Sequence, residues 1–289
     1  MFAEMREYAS ARRRRLSVML AAGAAGFALI GTAVPAAAGQ PGPGAQPTAS
    51  GQPAASAQPI PAARTFNGVP GVGALFLAGT SSPHSCTGDV ISSPGQDLVL
   101  TAAHCLSGDG RGALFAPGYH DGKTPYGVWQ VTGAYVDPHW LSTQDPQHDY
   151  AFLRIAPQRR GGRTVRLGDV VRGYSLAPAP RPGERVRIVS YPHGIDDKPI
   201  TCTVPTYAFD GYPAFDCGGY VGGTSGSGWL AGNGRSQAVV GLIGGLHQGG
   251  CVDYTSYSPR FGADTFALYE RAARGARPDV LPEPGSDGC

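Results

Sequence analysis

Apolar residues recur along most of the chain in short runs, broken every few positions by Gly, Pro or Asp. Residues 73–77, 97–101, 128–131, 151–155, 185–190 and 238–243 combine β-branched, aromatic and aliphatic side chains at strand length. Several alternate apolar with polar, the period of a half-buried strand. Strands at this spacing, with no helices between them, predict a sandwich or barrels. One segment differs. Residues 264–273 have helical spacing, with Asp264 placed as a cap, Phe266, Tyr269 and Ala273 on one face, and Gly275 as the stop. The chain therefore reads as all-β with a single helix late in the sequence, and no internal repeat is visible.

The first 65 residues break this pattern. Arg12 to Arg15 precede a small-residue apolar run over 16–34, and Ala36-Ala37-Ala38 before Gly39 fits a signal cleavage site. Residues 1–38 are expected to be a signal peptide using the general or the twin-arginine route. A membrane anchor is disfavoured, because the run is Ala/Gly-rich and no stop-transfer charges follow it. Residues 39–65 are nearly all Gly, Gln, Pro, Ala and Ser, and Arg64 offers a basic cleavage point. Such a tract buries too little apolar area to offset its ordering entropy, so a disordered propeptide or linker is expected. Residues 66–289 have the length of one domain.

Charge removes one class of function. Over 66–289, 17 Lys plus Arg face 19 Asp plus Glu, a net charge of −2. A near-neutral domain argues against nucleic acid as the main partner. No stable membrane association is expected once the signal is removed, and the mature chain is expected to be a secreted, extracellular monomer. All 6 cysteines follow the signal. In an exported chain they read as three disulfides, for which 15 pairings are open. Zinc at His84-x-Cys86 or His104-Cys105 is the competing reading, but no C-x-x-C pair supports it. No metal and no cofactor are expected.

Three segments carry candidate chemistry: Thr101-Ala-Ala-His104-Cys105, His148-Asp149-Tyr-Ala-Phe-Leu153, and Gly222-Gly-Thr-Ser225-Gly-Ser-Gly228. A serine hydroxyl needs an adjacent base to act as a nucleophile near neutral pH. Glycines around Ser225 would let a tight turn expose the hydroxyl and aim the Gly223 and Ser225 N–H groups at one point, as an oxyanion hole. His104 would be the base. Asp149, at the mouth of a strand, would fix the imidazole tautomer and stabilise the imidazolium. Asp145 is a rival for that place but lies in a loop-like run, and His148 reads as a neighbour without a catalytic role. Taken alone, the serine segment reads equally well as a flexible Gly/Ser loop, and a lone histidine is usually a surface residue.

The order His…Asp…Ser, with a cysteine beside the histidine and glycines around the serine, resembles the secreted trypsin-like serine proteases over 66–275. Ser85-Cys86-Thr-Gly88 is similar to the strand before the family's histidine, and Gly241-Leu-Ile-Gly-Gly245 to the strand lining its cleft. The serine motif is closer to the bacterial glutamyl endopeptidase branch than to the common Gly-Asp-Ser-Gly-Gly-Pro. Thr224 replaces the aspartate that pairs with a newly cut amino terminus, and Gly244 replaces a frequent serine.

The resemblance implies two six-stranded antiparallel β-barrels, chymotrypsin-like, with a short C-terminal helix. It implies protein or peptide substrates cleaved through an acyl-enzyme. It implies pairs Cys86–Cys105 and Cys202–Cys217, which leaves Cys251 with Cys289. It assigns substrate-binding roles to Gly219, Tyr220, Gly244, Gly245 and Leu246, with Gly219 at the floor of the primary pocket. A floor without charge implies a preference for uncharged side chains, with Asp253 read as a solvated loop carboxylate. An inactive binding protein of the same fold and a secreted esterase with the same triad are the alternatives.

Overall fold

The strand Ala151–Ile155 shows how the first half is built. It pairs antiparallel with Leu98–Thr101 on one side and Trp129–Val136 on the other. Outward from these, Cys86–Ile91, Val72–Phe76 and Leu114–Pro117 complete a closed six-strand barrel. The computed structural model describes residues 59–286, 288 and 289, all within one compact unit. The expected signal peptide, and the expected linker before residue 59, lie outside the described residues.

Strands Val72–Phe76, Cys86–Ile91 and Leu98–Thr101 are buried at every position. Both of their faces are covered, which is why the sequence shows apolar runs there rather than clean alternation. Leu75, Phe76, Leu98, Leu100, Phe115 and Phe152 are fully buried in this half. The helix Ala263–Ala273 packs on Trp129–Val136 and Ala151–Ile155. It starts earlier than expected. Asp264 is not the cap but sits in the first turn, and Thr265 Oγ1 accepts the Gly262 N–H at 3.2 Å. Its buried residues are Thr265, Leu268 and Ala272, one position round from the expected face, while Phe266, Tyr269 and Ala273 are half-buried.

The second half is strand-built as expected, with its strands joined into one eight-stranded sheet. Its path runs Ser175–Leu176, Ala238–Leu242, Gly228–Ala231, Arg185–Ser190, Ile200–Phe209, Tyr212–Asp216 and Thr255–Tyr257, with Arg64–Thr65 added on Ile200–Phe209. Ser175–Leu176 pairs parallel with Ala238–Leu242, so the sheet is not antiparallel throughout. The ten-residue strand Ile200–Phe209 joins the sheet together, because one end pairs with Arg185–Ser190 and the other with Tyr212–Asp216. Val186, Ile188, Phe215 and Trp229 fill its core, with the Phe215 and Trp229 rings edge to face at 5.0 Å.

Residues 59–65, placed with the linker by composition, are ordered in the fold. Gly218 N–H donates to the Pro61 carbonyl at 2.7 Å, Ala63 N–H to the Gly218 carbonyl at 2.8 Å, and Phe66 N–H to the Pro199 carbonyl at 3.1 Å. Backbone pairing, which composition does not report, supplies what the small side chains cannot. The disulfides are Cys86–Cys105, Cys202–Cys217 and Cys251–Cys289, the pairs named above.

Candidate active site

The barrel delivers two of the three candidate residues from adjacent strands. Leu98–Thr101 runs into the turn carrying His104, and Asp149 stands just before its neighbour Ala151–Ile155. The Cys86–Cys105 bond fixes the residue after His104 to the next strand. Asp149 is fully buried, and its carboxylate is heavily satisfied. Oδ1 accepts the His104 backbone N–H at 2.9 Å, and Oδ2 accepts the Gly245 N–H at 2.8 Å. His104 Nδ1 lies 2.7 Å from Oδ2. An ionised carboxylate only accepts, so Nδ1 carries the proton and Nε2 is left as the acceptor. Close to Asp149, a Cβ on Gly244 would meet Leu242 Cδ1 at 2.8 Å and Asp149 Oδ2 at 3.0 Å, so the frequent serine there would need both side chains to give way.

Ser225 comes from the turn before strand Gly228–Ala231, and the barrel edge holds that turn in place. Thr87 N–H donates to the Ser225 carbonyl at 2.8 Å, and Gly226 N–H to the Ile243 carbonyl at 2.8 Å. Thr87 Oγ1 donates to the Gly223 carbonyl at 3.2 Å. Gly223 has φ +93° and Gly226 φ +83°, where a side chain is strained. A Cβ at 223 would also collide with the His193 backbone, and one at 226 with Thr101 Oγ1 and the Thr87 carbonyl. Among the described residues, neither the Gly223 nor the Ser225 N–H has a protein acceptor. Thr224, expected to carry no switch, is buried and satisfies itself, its hydroxyl donating to the Val221 carbonyl at 2.7 Å.

Three supporting side chains were not singled out from sequence for the parts they take here. Thr87 bridges the two halves. Asp89 is fully buried, and its Oδ2 accepts the Gly228 N–H at 2.7 Å while Oδ1 has no hydrogen-bond partner among the described residues. Burial pushes the Asp89 carboxyl up to about 8, against the opposing pull of the Gly228 N–H. His84 is fully buried, its Nε2 lies 2.8 Å from Asp197 Oδ1, and its backbone N–H donates to Gly194 at 3.0 Å. That loop reaches the serine turn, because His193 N–H donates to the Gly222 carbonyl at 2.7 Å. No local signal marks any of these contacts, since each joins segments far apart in sequence.

His104 and Ser225 border two adjoining cavities, of about 520 and 360 Å³. The smaller is bounded by Tyr220, Val221, Ile243 and the turn His247 to Asp253. Of the expected substrate-binding residues only Tyr220 borders it. Gly219 does not, since the position of its missing side chain faces Ala63 and Ile200, at 3.6 and 3.9 Å. Gly245 borders a separate cavity with Trp140 and Pro146. Gly244 and Leu246 line neither cavity around Ser225. The chain bends at Gly245 into the turn Leu246–Gly249, where His247 and Gln248 take left-handed backbone angles, φ 53° and 50°. Asp253 is exposed, and its carbonyl, 2.9 Å from both the Gly219 and Tyr220 N–H groups, braces the wall.

The family model of the trypsin-like peptidase domain matches residues 86–242, and the chain belongs to this family. Solved structures agree on the fold. The protease Anisep from Arthrobacter nicotinovorans is 25% identical with a TM-score of 0.62, over 74% of this chain and 100% of its own. A thermostable serine protease, AL20, from an extremophilic microorganism is 24% identical with a TM-score of 0.60, over 71% and 98%. A Glu endopeptidase is 18% identical with a TM-score of 0.56, over 74% and 97%. No curated protein matches the sequence. The fold is that of a trypsin-like serine protease.

Proposed function

We propose that the chain is a secreted serine endopeptidase working through an acyl-enzyme on Ser225. One observation carries the reading: a fully buried Asp149 carboxylate holds His104 at both its backbone and its Nδ1, in a cleft that Ser225 shares. Nε2 takes the Ser225 proton as Oγ attacks the scissile carbonyl. The Gly223 and Ser225 N–H groups receive the developing oxyanion, and losing one such donor typically costs on the order of a hundredfold or more. The imidazolium, stabilised by Asp149, returns the proton to the leaving amine. A water, deprotonated by the same nitrogen, then releases the acyl group.

Disulfides fit an oxidising destination. Thr224 offers no carboxylate to a buried ammonium, which supports maturation without a charge-paired amino terminus. The cavity beside Ser225 supports an uncharged residue at the cleaved position, because Asp253 contributes a carbonyl to its wall and is itself exposed. His247 also borders this cavity, which favours an acidic residue as the second reading.

The test is fluorophosphonate labelling of the purified protein, followed by peptide-library and ester profiling. Stoichiometric labelling at Ser225 with peptide turnover supports the reading. Absence of labelling points to a binding protein, and ester turnover without peptide turnover to an esterase. A tenfold preference for Arg or Lys overturns the uncharged pocket. A Glu or Asp preference abolished by His247→Ala selects the acidic one.

A further inference from the structure

Away from the cleft, three segments bring two imidazoles and three carboxylates together. Asp137 caps the helix Pro138–Thr143, its Oδ1 accepting the His139 N–H at 2.8 Å and standing 2.8 Å from His139 Nδ1. His148 ends the turn Pro146–His148, with Nε2 3.9 Å from Asp137 Oδ1 and 3.5 Å from Asp264 Oδ2. Asp264 arrives from the first turn of the C-terminal helix. The two rings stack with centroids 4.4 Å apart. We propose that Asp137, His139 and His148, with Asp264 as a fourth donor, form a site for a tetrahedral divalent transition-metal ion such as Zn²⁺.

Geometry supports this first. One ligand atom each from Asp137, His139 and His148 lie within 4.8 Å of one another. Tetrahedral ligands about 2.0–2.2 Å from zinc stand about 3.3 Å apart. The separations of 2.8, 3.5 and 3.9 Å bracket that value, and because the two rings lie 24° from parallel, the exposed His139 ring must turn for both nitrogen lone pairs to meet one ion. His148 is also supported as metal-bound histidines usually are. Its Nδ1 is buried without an aligned hydrogen bond, yet Asp145 Oδ2 stands 3.3 Å away, where a carboxylate orients a ligating ring.

Charge supports it next. Asp137, Asp145 and Asp264 place three carboxylates around the ring pair. Arg271 is the nearby basic side chain, donating to the Val136 carbonyl at 2.7 Å, but it already pairs with Asp279 at 2.5 Å. One dication held by both imidazoles offsets the carboxylates gathered around them. Two imidazoles with carboxylates suit zinc and its neighbours, whereas calcium and magnesium take oxygen ligands.

The occupied site would tie the turn leading into Asp149 to the helices on either side of it. The test is calorimetric titration of the purified protein with ZnCl₂, together with Co²⁺ absorption spectra. The side chains of His139 and Asp264 are 63% and 66% exposed, so their replacement leaves the packing in place. One ion per chain is expected, with affinity reduced at least tenfold by His139→Ala and severalfold by Asp264→Asn. Co²⁺ should give the intense visible bands of a tetrahedral site, lost in His139→Ala. His104→Ala should leave binding unchanged. The proposal is overturned by no saturable binding, by undiminished binding in His139→Ala, by a cobalt spectrum matching the aqueous ion, or by loss in His104→Ala instead.

Discussion

His104 with Asp149 and His84 with Asp197 are the same chemical pair in two surroundings. Their nitrogen–oxygen separations are 2.7 and 2.8 Å. Their burial is reversed in one respect. Asp149 is fully buried behind a histidine that is 8% exposed, whereas His84 is fully buried behind an Asp197 that is 30% exposed. Beyond His104 lies a cleft shared with Ser225. Around His84 stand the rings of Phe76, Tyr119 and Tyr191, edge to face at 5.6 to 5.7 Å. An imidazole held by a carboxylate becomes a base only where its second nitrogen can meet a substrate-side proton. Where it cannot, the pair is a fastening, here holding the loop behind the serine turn.

Breaking the cleft pair should have the largest effect. His104→Ala and Ser225→Ala should each lower kcat by about 10⁶-fold, and the double variant should lose little more, because the groups act as a unit. Asp149→Asn should cost about 10⁴-fold. Circular dichroism should show the Ser225→Ala fold intact, and near wild-type turnover by any of these variants would refute the assignment.

The enclosed pair should respond through stability. His84→Ala removes packing against three rings and a hydrogen bond to a half-exposed carboxylate, at a cost of about 1–3 kcal/mol. Urea unfolding measures that loss, and kcat of the folded fraction should fall no more than about tenfold. A loss matching that of His104→Ala would erase the distinction between the two pairs.

Asp89 sharpens the comparison as a buried carboxyl with no histidine. Its folded-state value of about 8 stands above an ordinary value of 3.8, so the native state keeps a proton that the unfolded chain releases. Its contribution to stability is therefore full below about 4 and is lost as pH rises toward 8, by up to about 1.4 kcal/mol per pH unit. Asp89→Asn keeps the acceptor for Gly228 and cannot ionise. Its unfolding free energy should fall less steeply over that window, and parallel slopes for the two proteins would contradict the mechanism.

The smallest expected effect concerns the start of the chain. A protein beginning at Gly68 lacks the strand Arg64–Thr65 and the contacts of Pro61 and Ala63 with Gly218, beside the pocket wall. Compared with one beginning at residue 59, it should show a severalfold higher KM and nearly the same kcat. A kcat collapse would instead indicate a charged-terminus switch.

What was legible in the sequence was local. Strands Ala151–Ile155 and Arg185–Ser190 fall where their apolar runs end. The segments around His104, Asp149 and Ser225 each read as a motif. The helix Pro138–Thr143 was missed, although Asp137 before Pro138 is a recognisable start signal. Position along the chain does not report that Gly219 turns toward Ala63, or that the chain folds into a turn after Gly245. Cysteine–histidine spacing could not expose the cluster of Asp137, His139 and His148, which holds no cysteine, and Asp264 joins it only when the C-terminal helix docks. The eighth strand was hidden in a tract whose composition reads as linker.

Two outlying segments cross over between the halves: Arg64–Thr65 pairs on the second sheet, and Ala263–Ala273 packs against the first barrel. Each half is thus finished by a piece of chain from beyond the other. The exposed hairpin Gln158–Arg160 and Arg163–Val165 lies between them in sequence, and no disulfide spans it. Cutting there would give two fragments that each carry an arm belonging to the other. Produced separately, such fragments should complement one another, and the restored activity would report on their encounter, as in a split reporter.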